Sequence, residues 1–162
     1  MSSYADIDYA ALRHVIANRA YSKGVIAIDG TNTENVQTSA AVDYSIGGVM
    51  YQLAITAEID VSGLGVLTEA GATTTMTAQA DLTDRIYLLV LNTAGAIKVI
   101  QGAAVATGAT CYCPSVPDSY CAFAAVKVKN ATGSAFTFGT TDLDTSGVTD
   151  TYFDLTMAPA TL

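Results

Sequence analysis

The chain has 162 residues, of which 51% are hydrophobic and 14% are charged, and its formal net charge is −8. That length is enough for one domain with its own core. The acidic balance disfavours nucleic acid as a partner, because a phosphate backbone needs a basic patch and only 7 residues are Lys or Arg. The sequence has no uninterrupted apolar run of about 18 residues, so it predicts no membrane span.

The charged fraction is low beside the roughly 25% of an average soluble protein. A surface so short of charge suggests that part of it is covered by other protein, most simply by copies of the same chain. The first residues show no basic region followed by an apolar one, so no secretory signal is predicted and synthesis in a cytoplasm is expected.

Residues 5–20 form the one predicted helix. Asp6 can cap its start, and Asp8 favours the positive end of the helix dipole. Apolar positions and one arginine recur at helical spacing, at Ile7, Ala11, Leu12, Val15, Ile16 and Arg19. This apolar stripe must pack on something. One interpretation is packing on its own domain, and the other is an arm that contacts neighbouring subunits or the surface of another protein.

Two β elements are predicted next. Residues 25–28 read as a short apolar strand, and residues 43–55 read as the clearest hairpin of the chain. Val42, Tyr44 and Ile46 share one face before the turn, and alternate apolar residues continue after it, at Val49, Tyr51, Leu53 and Ile55. Gly47 and Gly48 provide a two-residue connection that permits the turns matching sheet twist.

The middle of the chain alternates between loops and strands. Residues 62–77 are rich in Gly, Ala and Thr and predict a surface loop, with Ile59 and Val66 anchoring its ends. Residues 85–90 are apolar on both sides and predict a central strand that is buried on both faces. A turn at residues 92–95 leads to a returning strand at residues 96–100, and residues 102–114 read as irregular.

The stretch of residues 116–149 contains a further strand and turn. Alternation places four residues on an apolar side, namely Ala122, Ala124, Val126 and Val128. It places the other four on a side that ends in lysines, namely Phe123, Ala125, Lys127 and Lys129. A turn at residues 130–133 leads to a short predicted return strand with Phe136 and Phe138. Residues 151–155 predict the last strand, followed by a tail at residues 157–162.

Short strands with many turn signals predict a mainly β fold, an antiparallel β-sandwich or barrel with an N-terminal helical arm. The expected division is a helical arm at residues 1–22 and a β domain at residues 23–162.

The sequence offers little for catalysis, and we predict that the protein is not an enzyme. The only histidine is His14, so a Ser-His-Asp or Cys-His device has a single possible base. Carboxylates at Glu58, Asp60, Glu69, Asp81, Asp84, Asp142 and Asp144 fall in or beside predicted loops and read as solvated turn residues. Calcium binding by Asp142 and Asp144 with Asp29 or Asp150 is a minor alternative. No cofactor or metal is expected.

The three cysteines Cys111, Cys113 and Cys121 lack the spacing of a zinc site and are expected to be free thiols partly buried among strands. A disulfide between Cys121 and one of the other two is an alternative only in an oxidising medium.

A family resemblance appears in the second half of the chain. Residues 122–133 follow the pattern A-x-A-x-V-K-V-x-N-A-T-G. The pattern F-x-x-G-T-T-x-L-D-x-x-G-V-T follows, with Phe136 or Phe138 as its phenylalanine and Gly139 to Thr149 as the rest. The chain resembles β-rich phage virion proteins that act as capsid decoration (cement) proteins or as head fibres, and related patterns occur in tail fibres. The segments at residues 43–55 and 87–99 fit the same general pattern, whereas the cysteines depart from it.

The resemblance implies a structural virion protein on the outer surface of a phage head, where it would stabilise adjacent capsomers. Its expected partners are the major capsid protein and itself, as a homotrimer assembled in the host cytoplasm. The candidate capsid contacts are Ile7, Leu12, Val15, Ile16 and Arg19. The alternative is a tail- or head-fibre module that recognises host surface glycan, with Tyr112 and Tyr120 near Asp118 as candidate sugar contacts.

Overall fold

The computed structural model describes residues 18–68 and 70–156, and all regular structure in that part of the chain is β. Twelve strands follow in order: β1 Arg19–Ala20, β2 Ile26–Ile28, β3 Val36–Thr38, β4 Val42–Ile46, β5 Val49–Leu53, β6 Val66–Leu67, β7 Thr73–Thr74, β8 Thr83–Leu91, β9 Ile97–Gln101, β10 Val105–Ala106, β11 Cys121–Asn130 and β12 Val148–Asp154. The prediction of a mainly β protein is confirmed. No helix long and apolar enough to cross a bilayer occurs in the described ranges.

The largest sheet has seven strands in the order β12-β11-β8-β9-β6-β7, with β10 paired to β8. Its centre is the antiparallel pair of the two longest strands, β8 and β11. The sheet is mixed, because β6 pairs parallel with β9 at Val66 and Val99.

A three-stranded sheet, β1-β4-β5, and a two-stranded sheet, β2-β3, complete the set. β4 and β5 form the predicted hairpin, which is confirmed. Gly47 and Gly48 have φ of 60° and 81°. Two successive positive φ angles are those of a type I′ turn, whose twist matches the flanking strands.

The β8 strand is buried on both faces, as predicted. Tyr87, Leu89 and Leu91 belong to a first apolar cluster together with residues of β1 to β4. The alternate residues of β8 point the other way and belong to a second cluster, which the segment at residues 105–120 and Leu155 cover; they are Ile86, Leu88 and Val90. Burying each such side chain contributes about 1.5–3 kcal/mol, so this strand is the main apolar anchor of the fold.

A β-bulge in β11 corrects one predicted face. The register of β11 against β8 shifts between Ala122 and Ala124. The extra residue places Phe123 in the first cluster with Ala124, whereas alternation had placed it on the lysine side. The predictions for Phe123 and for Ala122, which packs against the second cluster, are therefore wrong, because a bulge puts two residues opposite one and resets the alternation.

The predicted return strand at Phe136 and Phe138 is also wrong. Phe136 forms a single bridge with Gln79, and Phe138 packs its ring 4.7 Å from that of Tyr87. Both phenylalanines are fully buried. They cannot extend the sheet beside β11, because β8 and β12 already occupy both of its edges.

The end of the predicted helix is wrong as well. Arg19 and Ala20 form β1, in which Arg19 pairs with Ser45 of β4. Ala20 is 1% exposed and lies in the first cluster, so burial and sheet pairing override the helical spacing at these positions. The first described strand therefore lies before the predicted arm boundary at residue 22. The other residues of the predicted helix, including Ile7, Leu12, Val15 and Ile16, lie outside the described ranges.

The Gly-rich stretch at residues 62–77 is anchored as predicted, since Ile59 and Val66 are buried. It is not structureless, however. β6 and β7 pair within it, and β6 joins the large sheet through β9. Two-residue strands leave too short an alternation for the sequence to show them.

Candidate functional site

The carboxylates that the sequence singled out hold loops in place. Glu58 accepts hydrogen bonds from the side chains of Asn32 at 2.7 Å and Asn35 at 2.8 Å. Asp29 accepts from the backbone N–H groups of Thr31 and Asn32 at 2.7 and 2.9 Å. The donated hydrogen bonds of Asn32 and Thr31 lower the pKa of Asp29. Both carboxylates therefore stabilise the loop at residues 29–35 by accepting its hydrogen bonds.

Three other acidic residues also accept hydrogen bonds from loop groups. Asp60 accepts from the Ser62 hydroxyl at 2.6 Å, and this bond lowers its pKa. Asp81 accepts from the N–H of Gly133 at 3.0 Å. Asp84 is 5% exposed and accepts from the N–H of Gly108 at 3.3 Å. Asp60 and Asp81 are loop residues, as predicted, whereas the prediction of a solvated turn residue is wrong for Asp84, which is buried within β8.

The loop that carries Asp142 and Asp144 lies beside the loop that follows Asp29, because the N–H of Leu143 donates to the carbonyl of Thr33 at 2.9 Å. Even so, the described residues contain no group of three or more His, Cys, Asp or Glu that could hold a metal ion. His14 and Glu69 lie outside the described ranges.

The three cysteines are free thiols, and two of them are buried, as predicted. Cys121 belongs to the first cluster and Cys111 to the second, on opposite faces of the large sheet. Burial raises the pKa of Cys121 to about 12 and also raises that of Cys111 and Cys113. The thiols are therefore protonated and weakly nucleophilic at neutral pH.

A buried polar node that the sequence did not reveal lies at one end of β8 and β11. The Gln79 amide accepts from the Tyr87 hydroxyl at 3.1 Å and donates to the carbonyls of Thr83 and Val128 at 2.7 and 3.0 Å. Asn130 donates to the Ser134 carbonyl at 2.8 Å. In the sequence, Gln79 stands between two alanines, a pattern that is also common at exposed positions, so nothing indicates that its side chain is buried. The node fixes structure, and its groups are sealed from solvent.

The exposed surface carries several large apolar side chains. Among the described residues, seven are more than 40% exposed, and they are Tyr21, Val25, Val49, Met50, Ile55, Leu82 and Tyr112. Val49 and Met50 lie together immediately after the turn of the β4–β5 hairpin, at 55% and 57% exposure. Since β5 is the outer strand of its sheet among the described residues, Val49 and Met50 lie at the edge of that sheet. Such a site suits contact with another protein surface.

The structure separates the proposed sugar contacts. Tyr112 is 67% exposed, whereas Tyr120 is half-buried and packs against the second cluster. Asp118 is exposed, and its carbonyl accepts from the Asn18 amide. Tyr112 alone is therefore free to offer a full ring face. Of the candidate capsid contacts, Arg19 is the one within the described ranges, and its guanidinium lies 4.4 Å from the ring centroid of Tyr21.

Comparison with protein-family models, with curated proteins and with solved structures found no match for this chain.

Proposed function

We propose that the chain is a structural protein of a phage virion, a capsid decoration protein that binds the outer surface of the head and catalyses no reaction. One observation carries the proposal: large apolar side chains are exposed at the hairpin edge, whereas the carboxylates of Asp29, Glu58, Asp60 and Asp81 accept hydrogen bonds from neighbouring loop groups. Such a molecule is built to contact protein. The sequence resemblance at residues 122–149 supplies the virion context.

The architecture proposed for this role is a β-sandwich. In it the sheet of β1, β4 and β5 packs over one face of the seven-stranded sheet, with the first apolar cluster between them. A sandwich of this kind gives a rigid body, and the hairpin edge and the N-terminal arm would then reach beyond it. We propose three copies per assembly, so that one binding event holds three contacts on a symmetry axis and gains avidity.

The mechanism is linkage between binding and assembly. A protein that binds only the assembled lattice stabilises that lattice by RT ln(1 + [L]/Kd), or about 2.7 kcal/mol per site at a hundredfold excess over Kd. The candidate contacts are Arg19 and the apolar stripe of Ile7, Leu12, Val15 and Ile16. Nothing in this mechanism needs a metal or a cofactor.

The test is co-sedimentation of the purified chain with heads of the phage whose genome encodes it. We expect saturable binding, and we expect binding to be lost when residues 1–17 are deleted. The deletion stops at residue 17 because Arg19 and Ala20 form β1. A cooperative urea unfolding transition of the truncated chain is the control for folding of the β domain. Equal occupancy by both forms would remove the arm from the proposal, and binding by neither would refute it.

A glycan-binding fibre module is the second candidate, and the exposed ring of Tyr112 favours it. An aromatic face that is open to solvent can stack on a sugar ring. Glycan-array binding that is lost on Tyr112→Ala, while the chain ignores phage heads, would favour this function over decoration.

A further inference from the structure

The strand β5 forms one edge of the three-stranded sheet among the described residues. It reads VMYQL and contains none of the charges or prolines with which proteins usually guard an edge strand. The edge strand β12 of the large sheet, in contrast, carries Asp150 and Asp154. β1, at the opposite edge of the three-stranded sheet, has only two residues. β5 is therefore the edge that is best suited to pair with a further strand.

The turn of the hairpin decides which backbone groups of β5 face outward. A β-turn closes when the carbonyl of its first residue accepts the N–H of its fourth, and here these residues are Ile46 and Val49. Opposite residues in an antiparallel pair alternate between bonded and non-bonded positions, so Val49 and every second residue after it bond to β4. The N–H and C=O groups of Met50 and Gln52 therefore point away from β4.

The hairpin is held in a fixed position. Oδ1 of Asn18 accepts the N–H of Gly47, in the turn, at 2.7 Å. The Tyr44 hydroxyl donates to the carbonyl of Asn92 at 2.9 Å, and the rings of Tyr44 and Tyr51 stack with their centroids 5.5 Å apart. A strand that is already ordered loses little conformational freedom when it pairs with a partner.

The outward groups of β5 are complementary to those of a second β5. In an antiparallel pair centred on Tyr51, Met50 of each copy lies opposite Gln52 of the other. Each of these residue pairs then exchanges both N–H···O=C bonds, so the outward groups of Met50 and Gln52 all find partners. Centring the pair on Met50 instead would place Gln52 opposite Gly48, which lies in the turn and not in the strand.

The side chains of β5 suit the same pairing. On one face the alternate residues are apolar and would lie beside those of the second copy, and they are Val49, Tyr51 and Leu53. On the other face Met50, which is 57% exposed, would meet Gln52. The carboxylate of Asp43, on the neighbouring strand, accepts from Nε2 of Gln52 at 2.8 Å. Because each copy has a net charge of −8, two copies approach most easily along a strand without carboxylates.

We propose that two copies of the free protein pair through their β5 strands, antiparallel about Tyr51, so that their three-stranded sheets join across a twofold axis. The inference goes beyond the proposed function, since it concerns the protein in the absence of a head. It has one consequence for that function. The pair covers the hairpin edge, so the copies must separate before this edge contacts a head, and the three-copy assembly forms on the head.

The test is analytical ultracentrifugation of the purified full chain, in which we expect a concentration-dependent equilibrium between monomer and dimer. Met50→Pro removes the N–H that faces the second copy, and an edge strand tolerates proline at such a position. It should raise the dissociation constant of the dimer at least about tenfold, because each copy loses a hydrogen bond to the other. The matched control, Met50→Leu, keeps the N–H and an apolar side chain and should change the constant by less than about threefold.

Two double variants test the pairing without proline, and they decide the question if Met50→Pro fails to unfold cooperatively in urea. One carries Met50→Glu and Gln52→Glu, and the other carries Met50→Lys and Gln52→Lys. Each alone should be monomeric, because like charges would face each other at both residue pairs. A mixture of the two should form a heterodimer, because opposite charges would then face each other.

A parent chain that is monomeric at every concentration would overturn the proposal, and so would an oligomer that the proline and charge variants leave intact. Hydrogen exchange at the amides of Met50 and Gln52 adds a further check, because we expect their protection to increase with protein concentration. Protection that does not depend on concentration would show that another part of the same chain covers the edge, and this too would overturn the proposal. None of these results depends on phage heads, so failure here is distinct from failure of the decoration proposal.

Discussion

At the scale of single residues, backbone positions with positive φ decide where the chain tolerates change. Gly133 and Gly139 have nearly the same φ, 78° and 80°. A Cβ at Gly133 would meet nothing within 4 Å, whereas one at Gly139 would lie 2.6 Å from the backbone nitrogen of Ser62. The two positions thus separate backbone strain from steric overlap.

We expect Gly133→Ala to lower the free energy of unfolding by about 1–2 kcal/mol, the cost of a left-handed conformation. Gly139→Ala should lower it by at least about 2 kcal/mol more, because backbone must move away from the new methyl group. Urea unfolding of both variants measures the difference. Equal losses would show that residues 137–141 do not pack against residues 61–62 as described.

Gln79 supports a second prediction at this scale. Gln79→Ala leaves the Tyr87 hydroxyl and the carbonyls of Thr83 and Val128 without their buried partner. Each such group costs about 1–3 kcal/mol, so we expect a loss of at least about 3 kcal/mol in the free energy of unfolding.

Gln52→Ala is the matched control for Gln79→Ala, because the Gln52 side chain is exposed and donates a hydrogen bond to the exposed carboxylate of Asp43. It should change the free energy of unfolding by less than about 0.5 kcal/mol. A similar small change for Gln79→Ala in denaturant unfolding would contradict the buried node.

At the scale of elements, strong alternation and turn chemistry could be predicted from the sequence, and long-range pairing could not. β8, the β4–β5 hairpin and its Gly47-Gly48 turn were evident because their apolar residues and glycines lie close together in the chain. The bulge at Phe123 was not evident, since alternation continues through it in the sequence. The pairing of β11 with β12 was missed because 17 residues separate the two strands.

The same limit applies to the candidate site: local features could be predicted from the sequence, and features that depend on distant residues could not. Val49 and Met50 were predicted to lie in the second strand of the hairpin. Their exposure to solvent was not predicted, because it depends on which strand forms the edge of the sheet. Asn18 gave no signal as an anchor, since its partners Gly47 and Asp118 are distant in sequence.

The bulge leads to a prediction at the element scale. Phe123→Ala should cost about 3–5 kcal/mol of unfolding free energy, because the ring is 1% exposed in the first cluster. Phe153→Ala, in half-buried contact with the second cluster, should cost less. If Phe123 instead lay on the side of Lys127 and Lys129, Phe123→Ala would lower the free energy of unfolding by no more than Phe153→Ala does. Chemical denaturation of the two variants distinguishes these cases.

At the scale of the whole molecule, buried neutral groups set the alkaline limit of stability. Burial raises the pKa of Cys121 from 9.0 and that of Tyr87 from 10.0, each to about 12. These groups ionise in the unfolded chain before they ionise in the folded one. Their contribution is therefore complete below pH 9 and is lost as the pH rises from there through about 12.

We expect the free energy of unfolding to fall between pH 9 and pH 12, with each such group adding up to about 1.4 kcal/mol per pH unit. Cys121→Ala should make the fall between pH 9 and pH 10 shallower by up to that amount. Urea unfolding at a series of pH values measures the slope. An unchanged slope in the variant would mean that Cys121 is open to solvent.

The central claim at this scale is that the chain acts by binding an assembled lattice. Its most direct test is calorimetry of phage heads lacking the protein, with and without a saturating amount of the purified chain. We predict that the heads melt at a higher temperature when the chain is present and that the increase grows with its free concentration. Heads that melt at the same temperature at every concentration, with the chain remaining in the supernatant, would contradict the account.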